Sequence, residues 1–197
     1  MKQIRLVILL FLCLATGGCS IFTTSEQKLN AELIVAARNA DCEALQSALN
    51  RGADPDTGVD SNGTVLGTLL RQHKKSHRDR RYRIEKCTLL LLEHNADPER
   101  LHRGFTPLQI AAGQGSDVLV SQLIRFGADP SAETRAGLAP LWQAVYTNDN
   151  RISLELLQAG ANPNALNAEG QTPMEYLKAC GYTKNRIMLQ LRHYGGH

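Results

Sequence analysis

His73 and His77 stand four residues apart, a spacing that puts both imidazoles on one face of a helix, with Cys87 further along the chain. Such a trio could hold a transition metal, whose usual ligands are imidazole and thiolate. Lys74, Lys75 and Arg78 lie among them and would repel a cation. Asp54-Pro-Asp56-Thr-Gly58 and Asp60-Ser-Asn62 carry the oxygen ligands of a calcium loop, but neither its spacing nor its closing Glu. Asp, Asn and Gly in such runs are what tight backbone turns select, so a turn between two elements is expected there. No nucleophile elbow, phosphate-cradling glycine loop or paired-His metal helix is present, and no catalytic residue, metal or cofactor is expected. The densest chemistry is charge. From Arg71 to Lys86 the chain carries eight Lys or Arg against Asp79 and Glu85, a local balance of +6. The whole chain is +3, so without Lys2, Arg5 and this run the rest sits near −5. No aromatic ladder accompanies the run, which argues against nucleic acid. A solvated helix end, an anionic lipid surface or an acidic partner remain.

These residues are carried by a repeating pattern. Phe105–Pro130 reads FTPLQIAAGQGSDVLVSQLIRFGADP. Thr106 can cap a helix and Pro107 suits its first position, where no N–H is needed. Ala111 and Ala112 are small enough for close helix packing, and Leu119, Val120, Leu123 and Ile124 follow the period of a buried helix face. Gly127 supplies a left-handed stop. The pattern recurs in phase: Gly104 to Gly137 and Gly137 to Gly170 are each 33 residues. Thr-Pro-Leu and Gly-Ala-Asp in register at this period resemble the ankyrin-repeat family, a turn followed by two antiparallel helices. The resemblance implies an all-α solenoid of about five repeats over residues 28–197, with β-hairpin turns. The repeats fall at about 28–61, 62–103, 104–136, 137–169 and 170–197, the first and last acting as caps. Leu66 to Asp97 spans 31 residues where Leu108 to Asp129 spans 21, so the second repeat holds about ten extra residues, the basic insertion 71–83. Ser76-x-x-Asp79 has the form of a cap, which predicts a long second helix from near His77 to about Glu93.

Residues 1–18 are similar to a bacterial lipoprotein signal peptide. Lys2 and Arg5 precede an apolar run over Leu6–Leu14, and Thr16-Gly17-Gly18-Cys19 resembles a lipobox. The run is shorter than the roughly twenty residues a spanning helix needs. Cys13 fits less well because Leu12 precedes it. The resemblance implies cleavage before Cys19, lipid on that residue, and a polar tether over 19–27. Ser20 in place of Asp implies the periplasmic face of the outer membrane. An ordinary signal peptide with an incidental Cys is the alternative. Among Cys42, Cys87 and Cys180 an odd count forbids complete internal pairing. Quiet thiols in the helix packing are expected, with a Cys42–Cys87 bridge between adjacent repeats as the alternative.

Ankyrin domains usually bind through hairpin tips and inner helices, and that register implies a partner-facing strip. It holds Arg38, Asp60, Arg71, His102, Arg103, Phe105, Gln114, Arg135, Leu138, Tyr146 and Glu169. Aromatic residues and Arg supply most binding hot spots. Phe105 and Leu138 could instead pack between adjacent hairpins, and Trp142 reads as structural. Small ankyrin lipoproteins of this kind resemble the immunity proteins paired with type VI secretion phospholipase effectors. That resemblance implies a secreted lipase as protein partner, a membrane anchor through Cys19 and no nucleic acid. A housekeeping periplasmic scaffold or stress-defence protein supporting an envelope enzyme is the rival. Cells expressing the chain and fed radioactive palmitate should label it, and Cys19→Ala should abolish the label. Label retained by that variant would remove the lipoprotein expectation.

Overall fold

The computed structural model describes residues 25–134, 138–182 and 185–197. The expected signal segment, Cys19 and Arg135 lie outside the described residues. Ten helices occur among them, arranged as five antiparallel pairs: α1 (Ser25–Asn39) with α2 (Cys42–Asn50), α3 (Val65–Gln72) with α4 (Arg78–Glu93), α5 (Pro107–Gln114) with α6 (Asp117–Arg125), α7 (Pro140–Thr147) with α8 (Asn150–Gln158), and α9 (Pro173–Ala179) with α10 (Arg186–His193). Two short antiparallel strands, β1 (Gly58–Asp60) and β2 (Gly63–Thr64), form the hairpin ahead of α3.

Local chemistry starts and stops these helices where the sequence places the signals. The Thr106 hydroxyl accepts from the Gln109 amide at 3.2 Å while Gln109 Oε1 accepts from the Thr106 amide at 3.1 Å. Two otherwise orphaned donors are satisfied by one pair of side chains. Thr172 and Glu175 repeat this box ahead of α9, and Pro107, Pro140 and Pro173 occupy helix starts. After α6, Gly127 turns the chain with φ 93°, a conformation that favours glycine.

Packing then forms two layers. Helices α1, α3, α5, α7 and α9 stack as an inner row, and α2, α4, α6, α8 and α10 as an outer row. One apolar core runs between the rows, with Leu45, Leu69, Leu91, Leu108, Leu123, Trp142, Leu156 and Leu191 fully enclosed. Ala111 and Ala112 are buried, as their small size anticipates. Trp142 is completely buried and its indole N–H donates to the Ala165 carbonyl at 3.0 Å, which makes it structural.

Along one edge runs a ladder of hydrogen bonds whose first rung lies within the first repeat and whose later rungs join successive repeats. The amides of Asp54, Asp97, Asp129, Asn162 and His197 donate in turn to Asn30 Oδ1, Asp56 Oδ1, Glu99 Oε1, Ser131 Oγ and Asn164 Oδ1, all between 2.9 and 3.1 Å. From the second rung on, the acceptor is the side chain two residues beyond the preceding Asp or Asn of the same series. Each such bond is worth about 1 kcal/mol net.

Two expectations are corrected. Cys42 and Cys87 are bonded as a disulfide, with Cα atoms 5.0 Å apart and a sequence separation of 45. Outer-row packing sets the start of α2 against the middle of α4, and Cys180 is the free, exposed cysteine left over by the odd count. Ser76 does not cap α4; its hydroxyl donates back to the Gln72 carbonyl at 2.7 Å. His77 takes the cap position without a side-chain hydrogen bond, and α4 runs from Arg78 to Glu93. Closing a loop of this length restricts the unfolded chain, so the Cys42→Ser/Cys87→Ser variant should lose about 2–4 kcal/mol in urea unfolding. An unchanged midpoint would show that packing alone holds these helices.

Candidate functional site

The strip mapped from register divides into two exposed groups and several side chains that the fold itself consumes. The first group is built at the hairpin tips of the second and third repeats. His102 and Phe105 pair their backbones across a two-residue turn, with N–H···O distances of 2.9 and 3.2 Å. Arg103 and Gly104 both have positive φ, 53° and 85°, the geometry of a type I′ turn. Holding a non-glycine residue there costs roughly 1 kcal/mol. The Arg103 amide donates to the Asn62 carbonyl at 2.6 Å, and Arg103 Nη2 donates to Asp60 Oδ2 at 2.8 Å. The guanidinium, followed by the Asn62 amide, holds the Asp60 carboxyl below the usual carboxylate range. One tip is thereby locked to the next, with Arg103, Asp60 and Phe105 all exposed. A cleft of about 420 Å³ beside them is lined by Asp60, Ser61, Asn62, Arg100 and Leu101.

The second group lies on the inner helices nearer the carboxy terminus. Tyr146 on α7 is exposed, with its ring 5.2 Å from that of Trp142 and 5.2 Å from that of Tyr176 on α9. The Tyr146 and Tyr176 rings meet edge to face. Trp142 beneath them is buried, so it fixes their position without meeting solvent. The hydrogen bond to Cys180, together with burial, raises the Tyr176 hydroxyl above its ordinary value.

Other members of the strip sit differently. Arg38 and Arg71 are exposed at the ends of α1 and α3. Glu169 is exposed on the tip closed by the Asn167 and Gln171 backbones, 3.0 Å apart. Gln114 is half-buried and accepts from the Lys74 amide at 3.1 Å. Leu138 packs against the core, and its carbonyl accepts from the Gln109 side chain. His102, expected on the partner-facing strip, is instead buried at 3% exposure. Its Nδ1 accepts from the Thr64 amide at 2.9 Å, and a side chain at Gly67 would run into its ring. It serves as a pillar between hairpin and helix. His73 is also buried and its Nε2 lies 2.8 Å from Glu85, while His77 is exposed, so the two imidazoles do not converge. Tyr176 and Leu101 were missed by register mapping. Tyr176 aligns with Gln143 one period earlier, and only the tilt of the rings across adjacent helices brings it to Tyr146.

Residues 80–167 match the ankyrin-repeat family model as three copies. The chain is 27% identical to Neurogenic locus notch homolog protein 1 of Danio rerio over 158 residues, 80% of this chain and 6% of that protein. It is 31% identical to Ankyrin repeat and SOCS box protein 5 of Oryctolagus cuniculus over 131 residues, 66% of this chain and 36% of that protein. With Ankyrin repeat and MYND domain-containing protein 1 of Mus musculus it shares 32% identity over 108 residues, 48% of this chain and 12% of that protein. The chain spans well under half the length of each of these relatives. Fold and matches agree on an all-α solenoid of ankyrin repeats. Such arrays generally serve protein–protein interaction, using the extended surface that stacking creates.

Burial, then the positive charges of Arg71 and Arg103, hold the His102 imidazole below its ordinary value. A depressed imidazole stabilises the fold above the unfolded value of about 6.5 and loses that contribution as pH falls. Urea stability should therefore drop on acidification below about pH 6.5. His102→Ala should flatten that part of the profile and cost about 1–3 kcal/mol at neutral pH. An NMR titration of His102 above its ordinary value would overturn this assignment.

Proposed function

We propose that this chain is a membrane-held binding protein that neutralises a lipid-degrading enzyme outside the cytoplasm, as an immunity protein does for a type VI secretion phospholipase effector. The observation that carries the reading outside the cytoplasm is the Cys42–Cys87 disulfide. Such bonds persist in oxidising compartments and are rare where thiols are kept reduced. The lipobox-like residues ending at Cys19 support the same location. A lipid anchor would confine the protein beside the substrate of a phospholipase and raise its effective concentration there.

Partner contact is assigned to the two exposed groups, Asp60–Arg103–Phe105 and Tyr146–Tyr176. Both offer aromatic or guanidinium surface already held by contacts within the chain, Arg103 by Asp60 and Tyr146 by Trp142 and Tyr176, which lowers the entropy lost on binding. The carboxylates of the strip serve orientation, and no residue of it is assigned a chemical step.

Deleting the gene should make cells sensitive to attack by their siblings, and re-expression should restore protection. Against the purified effector, Arg103→Glu and Tyr146→Ala should each weaken binding by about 2 kcal/mol, a hot-spot loss. Deletion without sensitivity, coupled to loss of a resident envelope enzyme's activity, would replace immunity with the scaffold role.

A further inference from the structure

The ten residues added to the second repeat build a projection that the array does not need. Helix α4 has 16 residues, whereas α2, α6 and α8 have 9 each. The difference extends it by about 10 Å. Its inward residues Ile84, Cys87 and Leu91 are buried. Arg78, Arg81, Tyr82, Arg83 and Lys86 are exposed, Tyr82 by 68%. Arg78, Tyr82 and Lys86 follow at four-residue steps and so share one face. Among the described residues, ion pairs involve Arg51, His73, Arg103 and Arg151, and none involves the exposed cations of α4.

The projection is held firmly. Arg80 Nη2 donates to the Arg38 carbonyl at 2.9 Å and to Gln72 Oε1 at 2.6 Å. The disulfide fixes the middle of the helix to α2, and His73 with Glu85 fixes the loop before it. Its charge, however, works against its own helix. Arg78, Arg80 and Arg81 near the helix start oppose the macrodipole, Asp79 in the same turn offsets only part of this, and the start of α4 has no side-chain cap. A sequence that breaks a local rule without gain to the fold points to a use outside it.

We propose that the protruding end of α4 docks on membrane surfaces rich in anionic phospholipid headgroups. Clusters of four or more Lys and Arg on a helix are attracted to such surfaces, and each basic side chain adds to the attraction. An exposed Tyr amid the cations suits the headgroup layer, where an apolar ring with a polar tip is favoured. Long basic side chains around a projecting helix end can meet laterally mobile phosphates without a fixed pattern, whereas an acidic protein would have to match their spacing. Arg80 touches the far end of α1, whose 15 residues span about 22 Å from the segment that enters it. A chain held near its amino terminus can lay α1 along the membrane and bring the projection down beside it.

The test is flotation of the full chain carrying Cys19→Ser, so that no lipid on residue 19 contributes, with vesicles of phosphatidylcholine alone or mixed equally with phosphatidylglycerol and no partner enzyme present, which keeps its outcome separable from the immunity reading. At low salt the mixed vesicles should be preferred by at least about tenfold, and the preference should fade as salt screens the charges. The variant Arg78→Gln/Arg81→Gln/Arg83→Gln/Lys86→Gln, folded by circular dichroism, should lose most of that preference. A second variant, Lys74→Gln/Lys75→Gln, in the preceding loop, should lose a smaller part. Equal binding to both vesicles, or a preference retained by the quadruple variant, overturns the proposal. Binding of polyglutamate without any vesicle preference assigns the projection to an acidic protein instead.

Discussion

Stacked repeats leave backbone amides at every junction, and a junction closed over an unpaired N–H would be unstable. Here Asp54 finds an oxygen on Asn30 of its own repeat, and Asp97, Asp129, Asn162 and finally His197 each find one supplied by the repeat before. The acceptor changes from Asn to Asp, Glu, Ser and Asn because the geometry requires only an oxygen at the right reach. That tolerance lets the ladder cross the irregular second repeat without a break. The ten extra residues fall in the turn between α3 and α4 and in the lengthened start of α4, at the opposite edge, where no rung is formed. Glu99 shows the cost of crowding carboxylates on the ladder. Partial burial, with Asp129 and Asp97 nearby, raises its carboxyl, and the Asp129 amide only partly offsets this.

With pitch set at one edge, the other surfaces can carry features the fold does not require. The hairpin edge holds Arg103 in a left-handed conformation, restrained by Asn62 and Asp60. Backbone strain of this kind persists only where the surroundings impose it, and it gathers at sites of use. The helix-turn edge carries the long basic α4. Its disulfide reaches the first repeat, which lacks the Thr-Pro-Leu opening and, among the described residues, stacks on one neighbouring repeat. A terminal repeat buries less than an internal one, so a covalent tie there has the most to hold.

Much of this was legible in the chain alone. The period of 33, the Thr-Pro helix starts and the Gly-Ala-Asp stops describe local events within a few residues, so the sequence carries them directly. The same locality made the long α4 readable from the position of its extra residues. His102 was misplaced because register assigns a residue to a turn but not to a side of it. Its ring turns inward because Gly67 leaves a vacancy and the Thr64 amide needs an acceptor. The aromatic group was half-seen for a similar reason: Tyr146 follows Trp142 by one helical turn, while Tyr176 arrives from the next inner helix.

By itself the sequence determined the repeat architecture, the order of the helices, the place of the insertion and the sign of its charge. These depend on periodicity, turn chemistry and composition. Only the tertiary structure decided that Cys42 joins Cys87, that Arg103 is tied to Asp60, that His102 is a pillar and that Tyr146 rests on Tyr176. Each of those pairs lies 30 to 45 residues apart or turns on which way a ring faces. Such distances are closed by packing one repeat on another, and no local pattern records the angle at which they meet.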